Sequence, residues 1–427
     1  MLISNKNILF SFLLILSAFF FSFSYNFETY SLIEATIQSG LINYPDEFNL
    51  HQIINMNSWS LPIQIISILV KKNISILIIS RIILFVSTLV FLISIYLIVR
   101  SLSGSSLMAF LIAFLVILLK KNFGGLDYPT VIFSEHTNAL VSQALTSLVL
   151  ALFINSNFRL GFFLSAILIS VHVTIGIWIN SVIFFILILK FKKYKNIILN
   201  QKIYLYFILG LIITLISLFY FFSQKLPLNL SYDHEAYKTY MSVWESHRTG
   251  YGLYSKLINY SYIFKTLFLM SLAFIFLRLK LNKVNSDFGI IFLLVNCIFS
   301  LFLYISYKYF YLFFPDFITR LMPTRFLLLH SVIGWPIIFS IFYVLIKFIF
   351  ERFNFNLSYV YNFFILILII NLLQHNSNFI DRYKELKANL SISKKYDPNE
   401  KFWMKLKTVN LEGFFLTNSD PGTCLKT

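Results

Sequence analysis

The chain has 427 residues, of which 58% are hydrophobic and 12% are charged, and its formal net charge is +17 at pH 7. The charged share is about half of that in soluble domains, so the composition argues against a soluble enzyme. Lysine and arginine lie mostly beside apolar runs, which indicates membrane orientation and contact with anionic lipid rather than binding of nucleic acid. The two cysteines, Cys297 and Cys424, predict neither a disulfide framework nor a cysteine metal site.

Long apolar runs recur along the chain from residue 8 to residue 371. Because about 20 apolar residues cross the hydrocarbon core of a bilayer, these runs predict an all-α polytopic membrane protein with about eleven transmembrane helices. The predicted spans are 8–24, 76–99, 106–119, 138–155, 159–171, 176–191, 203–222, 262–278, 287–306, 326–347 and 356–373. Gly176 and Asn180 predict that the fifth and sixth spans form a bent pair.

These spans divide the chain into a transmembrane domain, residues 1–373, and a short soluble tail, residues 374–427. The tail is either complete in itself or a fragment of a larger soluble domain. Its mixed-charge stretch 381–395 predicts a helix, and residues 414–417 form a strand-like run.

Basic residues in the loops predict the orientation of the chain. The strongest signal is a lysine-rich loop between the sixth and seventh spans, which we assign to the cytoplasm. Its lysines are Lys190, Lys192, Lys193, Lys195 and Lys202. The N-terminus is then cytoplasmic, the C-terminus is outside, and the setting is a bacterial inner or plasma membrane. The pairs Lys71-Lys72 and Lys120-Lys121 fall on the outer side, where lysine side chains can snorkel to the interface.

The outer side receives the long segments and all seven histidines. The segments are 25–75, 120–137, 223–261 and 307–325. A passive anchor has no reason to sort its titratable groups in this way, whereas an enzyme with its active site on one face does. The first segment holds Glu28, Glu34, Asp46 and Glu47. Residues 31–39 predict a helix lying on the bilayer surface, and a solvated loop is the alternative.

Several features follow one another in the first half of the chain. After the first span come Glu28, an aromatic residue, Ala35, Gly40, the turn Tyr44-Pro45, the stretch Ser58–Pro62, the turn Asn73-Ile74-Ser75, Arg81 and the loop Arg100–Gly104. In order and spacing, these features resemble the opening of GT-C glycosyltransferases, in the branch with protein O-mannosyltransferases and the lipid A aminoarabinose transferase. The resemblance covers about residues 8–191. The family's acidic pair corresponds to Phe27-Glu28.

The resemblance implies a GT-C-like fold and transfer of a sugar from a polyprenyl-phosphate donor to an acceptor hydroxyl on the outer face. It makes Glu28 the candidate catalytic carboxylate, with Asp46 and Glu47 as further candidates in the same segment. A carboxylate near the membrane surface can accept the proton that the attacking hydroxyl loses. Because Phe27 stands in place of a second acid, no metal ligand set is predicted, and Mg²⁺ or Mn²⁺ stays open as a cofactor.

Cationic side chains predicted on the same side are candidates for binding the lipid phosphate. Arg320 and Arg325 precede or enter the tenth span, and a guanidinium group suits phosphate oxygens in a bidentate geometry. Arg81 is a charge inside the second span, and such charges are costly enough to indicate a function. The alternative role of Arg320 and Arg325 is anchoring of a helix end at the interface.

Three further residues are candidates for the lining of the site. Glu135 and His136 open the fourth span, where they either cap the helix or line the site. His172 lies at the apex between the fifth and sixth spans and is either a hydrogen-bonded structural residue or a lining residue. His234 and His247 lack the spacing of a zinc helix, so the segment around them is interpreted as an acceptor-contact or lid loop.

Alternatives of other classes stay open at this point. A transporter or flippase for a lipid-linked saccharide would show paired halves and mid-membrane charges, and both signals are weak in this sequence. A polysaccharide polymerase or ligase would also gather polar groups outside, and a catalytically inactive relative would share the same pattern. The sequence has no Walker loop or nucleotide-binding glycine loop on the cytoplasmic side, which argues against an ATP-driven pump and a nucleotide-sugar donor.

Overall fold

The structure, a computed structural model, describes residues 5–23, 32–41, 56–119, 139–225, 260–278, 287–310 and 329–374, together with residues 380, 383, 384, 386 and 387 of the tail. Within these residues the chain is helical and has no strand. The helices are α1 (Asn5–Phe23), α2 (Leu32–Gln38), α3 (Leu61–Lys71), α4 (Ile76–Ser103), α5 (Ser106–Leu119), α6 (Ala139–Ile154), α7 (Phe158–Val171), α8 (Val173–Leu189), α9 (Phe191–Ile198), α10 (Gln201–Gln224), α11 (Tyr260–Arg278), α12 (Asp287–Phe310), α13 (Leu329–Arg352) and α14 (Ser358–Gln374).

The predicted all-helical fold is confirmed, and each predicted span coincides with a helix. Among the described residues, four stretches are long and apolar enough to cross a membrane by length and composition. They are Ile78–Ser103, Gln201–Gln224, Asp287–Ser306 and Ile333–Arg352. The other apolar helices are shorter, so the number of crossings and the GT-C-like arrangement stay predictions. The described residues of the tail are helical, as predicted for 381–395, and the run 414–417 lies outside the described residues.

Local sequence explains where several helices begin and end. Gly104 follows α4 with a φ of +71° and donates its backbone N–H to the Arg100 carbonyl at 2.9 Å, which is the usual role of glycine after a helix. Pro62 lies in the first turn of α3, where its missing N–H costs nothing. Asn200 caps α10, because its side-chain oxygen accepts a hydrogen bond of 3.0 Å from the backbone N–H of Lys202.

The helices α7, α8 and α10 pack closely because glycine allows two backbones to approach. His172 alone separates α7 from α8, and a Cβ at Gly176 would lie 2.5 Å from the Cα of Ile169. On the other side of α7, a Cβ at Gly210 of α10 would lie 2.4 Å from the Phe163 carbonyl oxygen. Small residues at helix contacts are the usual means of tight packing in membranes. The predicted bent pair is therefore a tight helical hairpin, with α10 packed along it.

One end of the helical bundle, termed the lysine end, is formed by α9, the starts of α7 and α12, and the ends of α4 and α6. Asn155, just after α6, donates a hydrogen bond of 3.3 Å to the Leu97 carbonyl of α4. The Phe153 ring of α6 stacks on Phe288 of α12 with centroids 5.1 Å apart. The exposed lysines of this end are Lys190, Lys192, Lys193, Lys195 and Lys202.

The opposite end, termed the histidine end, contains the connection at His172, the ends of α1, α7 and α10, and the start of α4. Arg81 near the start of α4 donates a hydrogen bond of 3.2 Å to the Ser22 carbonyl near the end of α1. Ser60, just before α3, donates to the carbonyl of Val171, the last residue of α7, at 3.2 Å. These contacts therefore define two opposite ends of the described bundle.

The sides of the bundle are apolar and uncovered. Large side chains on the faces of α10, α11 and α12 are exposed, with Phe219 and Phe264 at 72% and Phe302 at 64% of their full accessible area. Extensive exposed apolar surface is rare in soluble monomers and is normal where lipid hydrocarbon covers the protein. The apolar helices and this surface indicate an integral membrane protein.

Candidate functional site

The short helix α3 is held at the histidine end by buried hydrogen bonds to α10. The hydroxyl of Ser217 on α10 donates to Oε1 of Gln64 at 2.6 Å, and Nε2 of Gln64 donates back to the Ser217 carbonyl at 2.9 Å. The indole N–H of Trp59 donates to the Ser217 hydroxyl oxygen at 3.0 Å. Because Gln64 and Ser217 are almost fully buried, the two hydrogen bonds between them form away from water, where an unmade bond is costly.

The residues before α3 extend this network to α2 and α7. Ser60 donates to the Val171 carbonyl, and Nε2 of Gln38 at the end of α2 donates to the Ser58 carbonyl at 3.0 Å. We refer to Trp59, Ser60, Gln64, Val171 and Ser217 as the α3 clamp. The clamp joins the first predicted outer segment to the ends of α7 and α10, so it fixes the start of α3 at the histidine end.

Arg81 is buried, with 8% of its area exposed, between the start of α4 and the end of α1. Its guanidinium carbon lies 5.0 Å from the centroid of the Phe23 ring, and Nη1 donates to the Ser22 carbonyl. Burying an arginine in a membrane helix costs about 2.5–3.5 kcal/mol on insertion scales. A charged hydrogen bond contributes about 1.5–3 kcal/mol, and a desolvated cation–π contact contributes up to about 2 kcal/mol, so these two contacts are large enough to offset that cost.

Arg81 also contacts the C-terminal turn of α1 as the structure describes it. The Ser22 carbonyl lies in this last described turn, and a cation there interacts favourably with the helix dipole. Arg81 therefore caps α1 directly before the segment that carries Glu28. Its predicted role in binding phosphate stays a prediction, and its positioning contacts are additional to that role.

His172 is half-buried at the turn between α7 and α8. Its backbone N–H donates to the Leu168 carbonyl at 2.9 Å, and its carbonyl accepts from the Gly176 N–H at 2.8 Å. Nδ1 lies 3.0 Å from the Thr174 hydroxyl oxygen. These contacts match the structural alternative weighed for this residue, while its location at the histidine end keeps it among the candidate lining residues.

Most of the predicted site residues lie outside the described residues. These are Glu28, Asp46 and Glu47 of the catalytic candidates, and Glu135, His136, Arg320 and Arg325 of the binding candidates. Of the candidates within the described part, the structure brings Arg81 and His172 to the same end, and α3 contacts both α4 and α7, which carry or adjoin them. Glu34, the acid of the first segment that the structure describes, lies in the first turn of α2 and has one buried carboxylate oxygen.

Gln64 and Ser217 were not among the residues predicted from the sequence. The available signal was the presence of polar residues inside two apolar runs, Gln64 and Ser67 in 63–70 and Thr214 and Ser217 in 211–222, because polar groups at membrane depth need a hydrogen-bond partner. The pairing of Gln64 with Ser217 could not be read from the chain, since 153 positions separate them. The structure also shows, for the described residues, no group of three metal-ligating side chains.

No protein-family model, no curated protein and no solved structure matches this chain. Membership of the GT-C superfamily therefore depends on the sequence resemblance of residues 8–191 and stays a prediction.

Proposed function

We propose that this chain is a membrane glycosyltransferase that moves a sugar from a polyprenyl-phosphate donor to an acceptor hydroxyl at the histidine end. Two observations support this function: the sequence resemblance of residues 8–191, and the separation of the histidine end from the lysine end along the apolar bundle. The lipid tail of the donor would lie against the apolar sides, and its phosphate and sugar would lie at the helix ends, where the long segments connect.

The observation that carries the proposal is that at least one helix end bounding each of the four predicted outer segments lies at the histidine end. For segment 25–75, Arg81 and Ser22 bring the end of α1 to the start of α4. For segment 120–137, α5 runs parallel to α1, since the Phe10 ring lies 5.9 Å from Phe110, and farther along both helices the Phe21 ring lies 5.5 Å from Phe114.

The helix ends that precede the two later segments also lie at the histidine end. Segment 223–261 follows α10, whose end meets α3 and α7 through the α3 clamp. Segment 307–325 follows α12, which begins at the lysine end where Phe288 stacks on Phe153. An active site assembled from all four segments is therefore compatible with the packing of the described helices.

The proposed reaction is a displacement at the anomeric carbon of the donor sugar. The acceptor oxygen forms a bond to this carbon, the bond between the carbon and the phosphate oxygen breaks, and the bonding electrons leave with the polyprenyl phosphate. Glu28 accepts the proton of the acceptor hydroxyl, with Asp46 and Glu47 as the other candidate bases. Arg320 and Arg325 stabilise the charge that develops on the phosphate.

The described residues support positioning in this scheme. Arg81 holds the end of α1, five residues before Glu28, against α4. Trp59 and Ser60 of the α3 clamp attach the later part of the first segment to α10 and α7, so this segment is anchored to the bundle both before and after the stretch that carries the candidate bases. A catalytic group held within a small range of positions lowers the entropic cost of reaching the transition state. No step is assigned to a divalent cation, and dependence on Mg²⁺ or Mn²⁺ is one arm of the test.

The test uses the full chain in proteoliposomes with a panel of radiolabelled polyprenyl-phosphate hexoses and measures released polyprenyl phosphate, with and without EDTA. A general base contributes roughly 10²–10⁴-fold, so we expect Glu28→Gln to lower transfer by at least about 100-fold. Glu351→Gln is the matched control, because Glu351 is an exposed carboxylate on α13. Unchanged transfer in Glu28→Gln would remove Glu28 as the base, and sugar-lipid flux without a new glycosidic bond would favour a transporter.

A further inference from the structure

The short helix α9 is attached to the lysine end through the buried side chain of Tyr194. Tyr194 is 6% exposed, and its ring lies 5.8 Å from Phe288 and 6.2 Å from Phe158. Beside it, Lys193 forms an ion pair with Asp287 at the start of α12. With Tyr194 turned inward, residues 191–193, 195 and 196 of α9 are exposed at the surface of the protein.

That surface is strongly basic. Lys190, Lys192 and Lys195 are exposed on α9 and directly before it, and exposed Arg159 follows Phe158, whose ring faces Tyr194. The acidic residue that the structure describes beside α9 is Asp287, which already pairs with Lys193. The three lysines and Arg159 thus form a local excess of positive charge.

Exposed apolar side chains flank this charge on both sides. Ile188 is 71% exposed and Leu189 57% exposed at the end of α8, and Leu199 is 60% exposed just after α9. A helix with lysines and large apolar groups side by side is typical of the membrane interface, where the apolar groups enter the acyl region and the ammonium groups meet headgroups. A soluble polyanion would leave these apolar groups in water.

We propose that α9 and its flanks form a binding surface for anionic phospholipid headgroups. Lys190, Lys192 and Lys195 donate to the lipid phosphate oxygens, while Ile188, Leu189 and Leu199 contact the acyl chains. The surface lies at the opposite end from the candidate transferase site, and the proposal does not depend on the transferase function. Binding would fix the depth at which the lysine end meets the membrane.

The test compares lipids bound to the full detergent-purified chain by native mass spectrometry, with equimolar phosphatidylglycerol and phosphatidylcholine. Each lysine near an anionic surface contributes about 1 kcal/mol, or about fivefold, so K190Q/K192Q/K195Q should lower the bound ratio of phosphatidylglycerol to phosphatidylcholine by about tenfold or more. K190R/K192R/K195R keeps the charge and should keep the ratio. The matched control K71Q/K72Q removes exposed lysines from the histidine end and should leave the ratio unchanged.

Three outcomes would overturn the proposal. The first is an unchanged lipid ratio in the folded glutamine variant, with folding checked by its thermal unfolding in detergent. The second is an equal loss in K71Q/K72Q, which would show a general effect of net charge. The third is full displacement of phosphatidylglycerol by millimolar inorganic phosphate, which would identify a site for a free anion instead of a lipid.

Discussion

The short helices α3 and α9 lie at opposite ends of the bundle and are attached to it in opposite ways. Gln64 of α3 is buried and exchanges two hydrogen bonds with Ser217, and the residues before the helix add further bonds. In α9 one aromatic ring, Tyr194, is buried, and the ion pair of Lys193 lies at the surface. The histidine end is thus built for fixed positions, and the lysine end is built to present charge.

The two attachments also differ in the free energy of unfolding that is lost when they are removed. Buried hydrogen bonds that lose a partner cost about 1–3 kcal/mol each, whereas an exposed ion pair contributes about 0–1 kcal/mol. Substitutions in and beneath the α3 clamp should therefore destabilise the protein more than substitutions of the charges on α9.

The largest effect is expected at Gly210, on the contact between α7 and α10 next to the α3 clamp. In Gly210→Ala the new Cβ would meet the Phe163 carbonyl oxygen at 2.4 Å, so the two backbones must separate. Overpacking of this kind costs about 3 kcal/mol at the upper end of the usual range, which exceeds the gain of about 0.5–1 kcal/mol in helix propensity. Unfolding by SDS titration, followed by circular dichroism, measures the loss.

Gly161→Ala is the matched control for this prediction. The same methyl group is added to α7, but it would meet the Phe153 ring at 3.0 Å, and a ring can shift where a backbone carbonyl cannot. We expect a change of less than about 1 kcal/mol, because small shifts relieve side-chain contacts. Equal destabilisation by both alanines would mean that the α7–α10 contact is not the close one described here.

The next effect is expected in the α3 clamp itself. Gln64→Leu keeps the volume but removes both bonds to Ser217, so we expect a loss of about 2 kcal/mol, within the range for buried hydrogen bonds. Ser217→Ala and the double variant complete a double-mutant cycle in the SDS titration. Bonds of this kind in membranes couple by about 0.6–1.7 kcal/mol, and strict additivity would show that the two side chains do not interact.

A smaller effect, visible only in alkali, is expected for Tyr194. Burial, and then the charge of Asp287, raise the pKa of Tyr194 to about 12 from its ordinary value of 10.0. The folded state therefore prefers the neutral phenol, and the stability this contributes is complete below pH 10 and is lost as the pH rises from 10 through 12. Tyr194→Phe should match the parent at neutral pH and lose less stability than the parent over that alkaline window.

Thermal midpoints measured across this window check the prediction. An alkaline loss in Tyr194→Phe as large as that of the parent chain would show that other groups cause it and that Tyr194 is not the buried attachment of α9.

The smallest effect is expected for the ion pair between Lys193 and Asp287. Both side chains are nearly half exposed, so Asp287→Asn should cost less than about 1 kcal/mol, and high salt should remove most of the difference. Thermal unfolding at low and high salt measures it. A loss as large as that of Gln64→Leu would contradict the contrast between the two ends.

Most of the fold could be predicted because the signal is local. Apolar runs such as 76–99 and 287–306 coincide with helices, since length and hydropathy are properties of contiguous residues. The hairpin at His172 was predicted from Gly176 and Asn180 in the same way. The α3 clamp could not be predicted, because hydrogen bonds between Gln64 and Ser217 depend on how distant helices pack.

The candidate site was predicted less completely than the fold. The sequence singled out Arg81 as a charge inside an apolar span, but its contact with Ser22 and Phe23 depends on the antiparallel packing of α1 and α4. The roles of Glu28, Arg320 and Arg325 come from a resemblance and from predicted sidedness. Neither kind of signal contains a distance between the residues.

The central claim is that the lysine end and the histidine end lie on opposite faces of a membrane. The measurement is labelling of single cysteines with a membrane-impermeant maleimide in intact cells, after Cys297 and Cys424 are replaced by serine. Exposed positions offered by the structure are Lys72 and Lys225 at the histidine end and Lys192 and Lys202 at the lysine end. We predict labelling of the first two from outside, and labelling of the last two only after the membrane is opened. Labelling of Lys72 and Lys192 positions from the same side would contradict the account.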